Sequence, residues 1–453
     1  MRAQGKKVTK SSITHNRLVF IDIARSIAIL MMLEGHFIYM ALAEHYRSED
    51  YFFYNLWSFP RGLTAPLFFT VSGLVFTYLL VRRKTPFFKN KRVKKGGWRA
   101  LKLIGWGYLL QVNFFLLLTT GSLNDYALIF HVLQCIGVSL LLIIVCYGIS
   151  KTVKVVPFFI VLIVAGILVF IYKPTLHAAD LSGLHPLFEN MLLRITDGRD
   201  YSSLFPIFPF VGYAFLGAAV GAFASNNPQR VYTHSFVFVM MTIAFLVYFF
   251  VADLLSFFSP LFESVGWEPV AEEAYLFTNF SIVLFGLAVI IILGKHKRRL
   301  RLIYYRKLQF LRSWFFPIAF YSAGAACVLY DLLIMEAQQL MVLPTLSVNA
   351  IGQGLLFVGV ILTAAKLIRW NYNLFIKMGQ HTLSIYIVHM IILYASIFGV
   401  GLKNSLYRSL DPWSALVGAI AFMVFFTYFV KHIEKINRFY RGIIPFLARK
   451  KNQ

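Results

Sequence analysis

Runs of about twenty mostly apolar residues recur along the whole chain, and no other feature restricts its fold as much. A run of that length is what an α-helix needs to cross the hydrocarbon core of a bilayer. Within that core only helices and closed barrels satisfy their own backbone groups. The runs fall at 18–42, 60–81, 99–119, 125–148, 155–173, 204–224, 234–255, 275–294, 313–335, 346–366, 378–400 and 412–431. Turn-forming stretches separate them, among them Gly121-Ser122-Leu123-Asn124-Asp125, Ser225-Asn226-Asn227-Pro228 and Asp411-Pro412,. The run at 155–173 is the least regular, with Pro157 in its first turn. The expectation is an all-α polytopic integral membrane protein of about 12 transmembrane helices (10–12). It has three parts: a basic N-terminal segment 1–17, a single transmembrane domain 18–431 and a basic tail 432–453.

Composition excludes the soluble alternative. The chain has 453 residues, 59% hydrophobic and only 14% charged. Soluble domains carry about 25% charged residues. The net charge of +25, from 44 Lys and Arg against 19 Asp and Glu, does not point to nucleic acid, because no soluble basic face is left to bind it. Most of the cations fall in loops that alternate onto one side once the N-terminus is placed inside, chiefly 82–102 and 295–312. Acids such as Glu263, Glu268, Glu272 and Glu273 collect on the other side. Lys and Arg stay on the cytoplasmic side, so both termini are expected in the cytoplasm. The basic loops read as topology signals that meet anionic lipid; a sharper alternative is contact with a phosphate-rich cytosolic ligand. The basic stretch ending at Arg17 runs into a long apolar segment without a small-residue cleavage site, so it reads as an uncleaved first span. This layout fits a bacterial cytoplasmic membrane. Cys135, Cys146 and Cys327 lie in apolar runs, where a free cysteine packs as a small hydrophobe. No metal-ligand spacing is visible, and no metal is expected.

Ionisable residues inside a span are costly and mark function. The first span holds Asp22, Arg25, Glu34 and His36, with His45 just beyond. At about 100° and 1.5 Å per residue, Arg25 and His36 come within about 20° of eclipsed and stand roughly 16 Å apart along the axis. They form one column, with a cation near the cytoplasm and an imidazole of near-neutral pKa deeper in. Asp22 precedes Arg25 by one turn and can pair with it. His131 and Gln134 share a face of the fourth span in the same way and can line a cavity. His389 lies mid-span near Ser384 and Tyr386, placed for interhelical hydrogen bonding or for a functional role. Arg194, Asp197, Arg199 and Asp200 stand in the long outer loop, and Trp57 with Phe59-Pro60-Arg61-Gly62 stands at the outer mouth of the second span.

The segment RLVFIDIARSIAILMMLEGHF, with an Arg, ten residues and a His, resembles the opening helix of membrane acyltransferases that O-acetylate surface glycans. It is still more similar to the heparan-α-glucosaminide N-acetyltransferase-like branch of that transmembrane acyltransferase superfamily. TAPLFFTVSGLVF (64–76), HVLQCIGVSLLL (131–142), FPIFPFVGYAFLGAAVGAF (205–223) and MGQHTLSIYIVHMIIL (378–393) resemble later helices of the family in the same order. The resemblance implies transfer of an acyl group, usually acetyl, from cytosolic acyl-CoA to a hydroxyl or amine of a sugar or glycan, often across the membrane. Acetyl-CoA is then a co-substrate, and membrane lipid and a glycan acceptor are the partners; a homo-oligomer is left open.

Such a reaction needs a base for the acceptor's proton, and a histidine suits it. In the heparan-type branch the position of His36 is usually Asn, and the catalytic His falls where Arg47 stands here. Either His36 or His45 is therefore the base. Arg25 would meet CoA phosphate and Asp22 would orient it. Ser72, Gln134 or Asn113 would supply oxyanion donors. The rival reading is a twelve-span secondary transporter. It calls for two related halves and a long central inside loop, whereas the inside loop near 225–233 is short.

Overall fold

The computed structural model describes residues 18–48, 51–82, 85–124, 129–153, 155–181, 183–193, 203–226, 228–296, 314–334, 372–394 and 401–443, with isolated positions at 127, 341–343, 346–347 and within 352–363. These residues are overwhelmingly helical. The exception is a minimal antiparallel pair, β1 (Met341–Leu343) and β2 (Leu346–Ser347). Six described helices are long and apolar enough to cross a membrane: Trp57–Val81, Val132–Val153, Ile207–Asn226, His234–Ser264, Ala271–Lys295 and Pro412–Ile436. Shorter apolar helices lie at Phe158–Ile171, Phe315–Tyr330 and Thr382–Tyr394. The expected run at 346–366 and the polar residues Arg194, Asp197, Arg199 and Asp200 lie largely or wholly outside the described residues.

The run at 99–119 is broken where a single span was expected. Helix α3 (Lys91–Leu109) and helix α4 (Phe114–Thr120) meet at 62°. Asn113 caps α4, its side chain accepting from the Leu116 N–H at 3.1 Å. The Asn124 side chain braces the break: its oxygen accepts from the Asn113 N–H and its amide donates to the Gln111 carbonyl. Asn113 is thereby committed to a helix cap.

The chain divides into two compact units that alternate along the sequence. The first takes in residues up to Ala24, Phe69–Gly107 and Ile129–Lys295. Its centre is α9 (Ile207–Asn226), which packs against α5 (Val132–Val153) and α6 (Phe158–Ile171) and follows the short helices α7 (Lys173–Ala178) and α8 (Pro186–Leu192) in the chain. The sequence GYAFLGAAVGAF explains the position: small residues let neighbouring backbones close in, which is how helices associate where lipid removes a hydrophobic drive. A Cβ at Gly217 would lie 2.0 Å from the Thr70 carbonyl oxygen of α2 (Phe52–Val81), and one at Gly221 would lie 2.3 Å from that of Leu74. The contact is reciprocal, since Gly73 of α2 sits as tightly on the Ala214 carbonyl. On its α6 side, Gly212 receives the ring of Phe170, and Gly166 of α6 receives Leu216. At one end of this unit the buried Glu273 carboxylate holds the Lys173 ammonium at 2.7 and 2.9 Å. Helix α10 (His234–Ser264) pairs with α11 (Ala274–Lys295) and leaves Phe238, Phe245, Phe249 and Phe257 exposed, an aromatic face suited to lipid.

The second unit takes in Arg25–Phe68, Tyr108–Leu128 and the chain from His296 onward. Its described helices are the main length of α1 (Val19–Ala41), the first part of α2, α4, α12 (Phe315–Ile334), α13 (Tyr372–Gln380), α14 (Thr382–Tyr394), α15 (Leu402–Leu406) and α16 (Pro412–Ile443). Asp411 starts α16 by accepting from the N–H groups of Trp413 and Ser414, with Pro412 as its first residue. Both are favoured helix-starting devices. The hydrogen bonds from Ser414 hold the Asp411 carboxyl below its usual range. Against α16 lies Phe37 of α1, whose ring covers Gly418 and meets Phe422 at 5.5 Å.

The C-terminal end of α1 leaves four carbonyls to satisfy, and each has a partner. The Ile38 carbonyl accepts from the Leu42 N–H, and the Tyr39 carbonyl accepts from the Arg47 guanidinium. Met40 accepts from the Arg408 N–H, and Ala41 accepts from those of Ser409 and Leu410. Arg408 holds a left-handed φ of 51° while its side chain bonds Glu44 at 2.9 Å.

Candidate active site

The polar column of α1 is fixed by side chains that arrive more than three hundred residues later in sequence. A guanidinium nitrogen of Arg25 donates to the Thr382 hydroxyl, the first residue of α14, at 2.9 Å. Nδ1 of His36 lies 3.1 Å from Nε2 of His389, with ring centroids 5.1 Å apart. His389 is wholly buried, and its Nδ1 lies 3.2 Å from the Ile385 carbonyl one turn earlier on α14. Tyr386 packs edge-on against the His389 ring at 5.0 Å. The two links rise together along α1 and α14, so these helices run in the same direction.

Ser26, beside Arg25, makes the third link. Its hydroxyl donates to the Phe375 carbonyl at 2.5 Å and accepts from the Gly379 N–H at 2.9 Å. Phe375 and Gly379 stand one helical turn apart on α13, which gives way to α14 at His381. Ser26 is fully buried, so Ser26→Ala is expected to cost about 1–2 kcal/mol. A fall in the thermal midpoint of the detergent-solubilised protein would register it, and an unchanged midpoint would remove Ser26 from this role.

Beyond α1 lies the other candidate base. His45 sits on a 3-10 turn (Glu44–Tyr46), exposed, with its ring 3.9 Å from that of Tyr46. Arg47 folds back onto the end of α1, donating to the carbonyls of Tyr39 and Leu42. It therefore serves as a C-cap. On the opposite face of α1 from Arg25, Glu34 accepts from the Trp57 indole N–H. The Arg61 guanidinium lies over the rings of Tyr39 and Trp57, 4.1 and 5.4 Å from their centroids.

The remaining sequence candidates belong to the first unit. Asp22 is buried, one turn before Arg25. Ser72 is half-buried on α2. The His131 carbonyl accepts the first hydrogen bond of α5 from the Cys135 N–H. Gln134 is fully buried against Gly107, its amide 3.4 Å from the Ile129 carbonyl and its oxygen without a hydrogen-bond partner. Among the described residues no group of three or more His, Cys, Asp or Glu could hold a metal ion.

Residues 17–246 match the family described as heparan-alpha-glucosaminide N-acetyltransferase, catalytic. The chain belongs to that family. No curated protein matches it significantly. Membership of the heparan-alpha-glucosaminide N-acetyltransferase family, with the several membrane-length helices, makes this an integral membrane acetyltransferase and disfavours the transporter reading. The matched segment carries Arg25, His36, His45, Ser72, His131 and Gln134. Thr382 and His389, which hold the column in place, lie beyond it. Sequence reasoning set His389 in mid-span, placed for interhelical hydrogen bonding or a functional role, but had no means to pair it with His36, and it missed Ser26 altogether. The only signal for Ser26 was a hydroxyl beside the intramembrane arginine.

Proposed function

We propose that this acetyltransferase moves an acetyl group from cytosolic acetyl-CoA to a hydroxyl or amine of a sugar or glycan, with His36 as general base. The observation that carries the reading is the column on α1, where Arg25 and His36 share a face and are each bonded to α14. In the arrangement proposed, Arg25 meets CoA phosphate through charge-assisted hydrogen bonds, with His381 next to its partner Thr382 at the α13–α14 junction. The separation of roughly 16 Å along α1 leaves an extended CoA room to bring its thioester toward His36. The acceptor's O–H or N–H gives its proton to His36, its heteroatom bonds the acetyl carbon, and the carbon–sulfur bond breaks. The CoA thiolate then takes the proton back from the imidazolium. The products are the acetylated acceptor and free CoA thiol.

The proposed setting follows the charge pattern of the sequence. About twelve spans cross the membrane as one domain over 18–431, with both termini in the cytoplasm, so that Arg25 faces the cytosolic donor. A bacterial cytoplasmic membrane suits that arrangement. His45, exposed on its turn, would lie on the acceptor side.

Thiol release from acetyl-CoA by protein in lipid vesicles, with and without a panel of amino and hydroxy sugars, tests the reading. Release that depends on one acceptor class supports it and names the class. Absence of both release and acetyl-CoA binding would overturn it.

A further inference from the structure

We propose that His389 is a positioning residue that sets the tautomer of His36, keeping a proton on its Nδ1 and the lone pair on its Nε2. The inference deepens the acetyl-transfer reading and rests on it for its catalytic meaning, though not for its geometry.

The Ile385 carbonyl oxygen only accepts, so the hydrogen in its 3.2 Å contact with His389 belongs to His389 Nδ1. In a neutral imidazole the other nitrogen is then an acceptor. That nitrogen, Nε2, lies 3.1 Å from His36 Nδ1. One hydrogen fits between them, and it sits on His36. The direction of the chain is fixed from its far end: His36 Nδ1–H donates to His389 Nε2, and His389 Nδ1–H donates to Ile385. His36 Nε2 is left as the basic nitrogen. His389 is wholly buried, which keeps water from competing for its Nε2, and the edge-on ring of Tyr386 restricts its rotation.

The bond also serves the protonated state. When His36 takes the acceptor's proton on Nε2, its Nδ1–H remains directed at His389 and part of the positive charge is shared. A carboxylate would do this more strongly. In an apolar layer, however, it would be an unpaired buried charge whenever His36 is neutral, at a large desolvation cost. A neutral imidazole gives direction without that burden.

The bland alternative is a hydrogen bond that only ties two membrane helices together. Two substitutions separate the readings. His389→Leu removes the acceptor. His389→Gln puts a carbonyl oxygen near the place of Nε2. Expected for His389→Leu is a fall of about 10²-fold in kcat for acetyl transfer, the lower end of what a general base contributes, with KM for acetyl-CoA within about twofold. His389→Gln should recover roughly tenfold of that loss. Equal kcat in the Leu and Gln variants would overturn the proposal, and so would wild-type kcat in His389→Leu.

A readout independent of turnover is the nitrogen NMR spectrum of histidine-labelled protein in lipid, where the signal lost in His36→Asn identifies His36. Expected is an Nδ1-protonated neutral ring in the wild type and in His389→Gln, shifting to Nε2-protonated in His389→Leu. An Nε2-protonated His36 in the wild type would sink the proposal. Should the wild type transfer acetyl to no acceptor, the functional reading fails while the spectrum still decides the tautomer.

Discussion

Alanine at position 36 is expected to slow acetyl transfer by about 10²–10⁴-fold while acetyl-CoA binding changes little. The two effects separate because the proposed donor contact is at Arg25, eleven residues away on α1, and that contact is held by Thr382 independently of the imidazole. His45→Ala is the matched control. His45 is exposed on a short turn past the helix end, with its ring 3.9 Å from that of Tyr46, and its loss is expected to leave turnover within about twofold on the reading that His36 is the base. Single-turnover thiol release with saturating acceptor, beside isotherms for acetyl-CoA, would give both numbers for both variants. The reverse pattern, with His36→Ala active and His45→Ala dead, would move the base beyond the C-terminal end of α1.

Valine at Gly217 should strongly disrupt the packing of the first unit. The position a Cβ would occupy is 2.0 Å from the Thr70 carbonyl oxygen, 2.6 Å from its carbon and 2.7 Å from its Cα. These are backbone atoms of α2, so no rotamer change can make room. The helices would have to separate, and Gly73 and Gly221 would lose their own close contacts on the same seam. Overpacking in a core costs about 1–3 kcal/mol when side chains can adjust; with backbone on both sides the cost is expected at about 3 kcal/mol or more. Loss of the monodisperse peak in size-exclusion chromatography, or a large fall in the thermal midpoint, is the expected outcome. Gly97→Ala is the comparison, because nothing lies within 4 Å of the Cβ it would add. It should be neutral or mildly stabilising, since Ala favours helix over Gly by about 1 kcal/mol. If both variants behaved like the wild type, the α2–α9 seam would not be as tight as described.

How much of this could be read from the residues varied with the physics involved. The helices lie close to the apolar runs because a bilayer demands internal satisfaction of every backbone group, and that demand is written in composition over about twenty residues. The break near residue 112 escaped detection for the same reason: the apolar run continues through it, and the bracing comes from the Asn124 side chain. The Arg25–His36 column was legible from the turn of one helix. Its partners were not. Thr382 and His389 come from the other end of the chain, and no periodicity encodes which interior helix meets which. The family match, ending at residue 246, likewise covers the column without the helix that holds it. Glu34 shows a milder case: Trp57 stood out at the outer mouth, but its hydrogen bond to Glu34 could not be inferred from spacing.

The ends of α1 have a mechanical consequence. Near its beginning a buried hydroxyl is bonded twice to the backbone of α13, and at its close every terminal carbonyl is taken by Arg47, by Leu42 or by the stretch of chain at 408–410. A step of one residue along its axis would forfeit all of these bonds together, so a shift of α1 is costly. The proposed base is thus mounted on the helix least free to move with the reaction, and donor and acceptor are expected to travel to it.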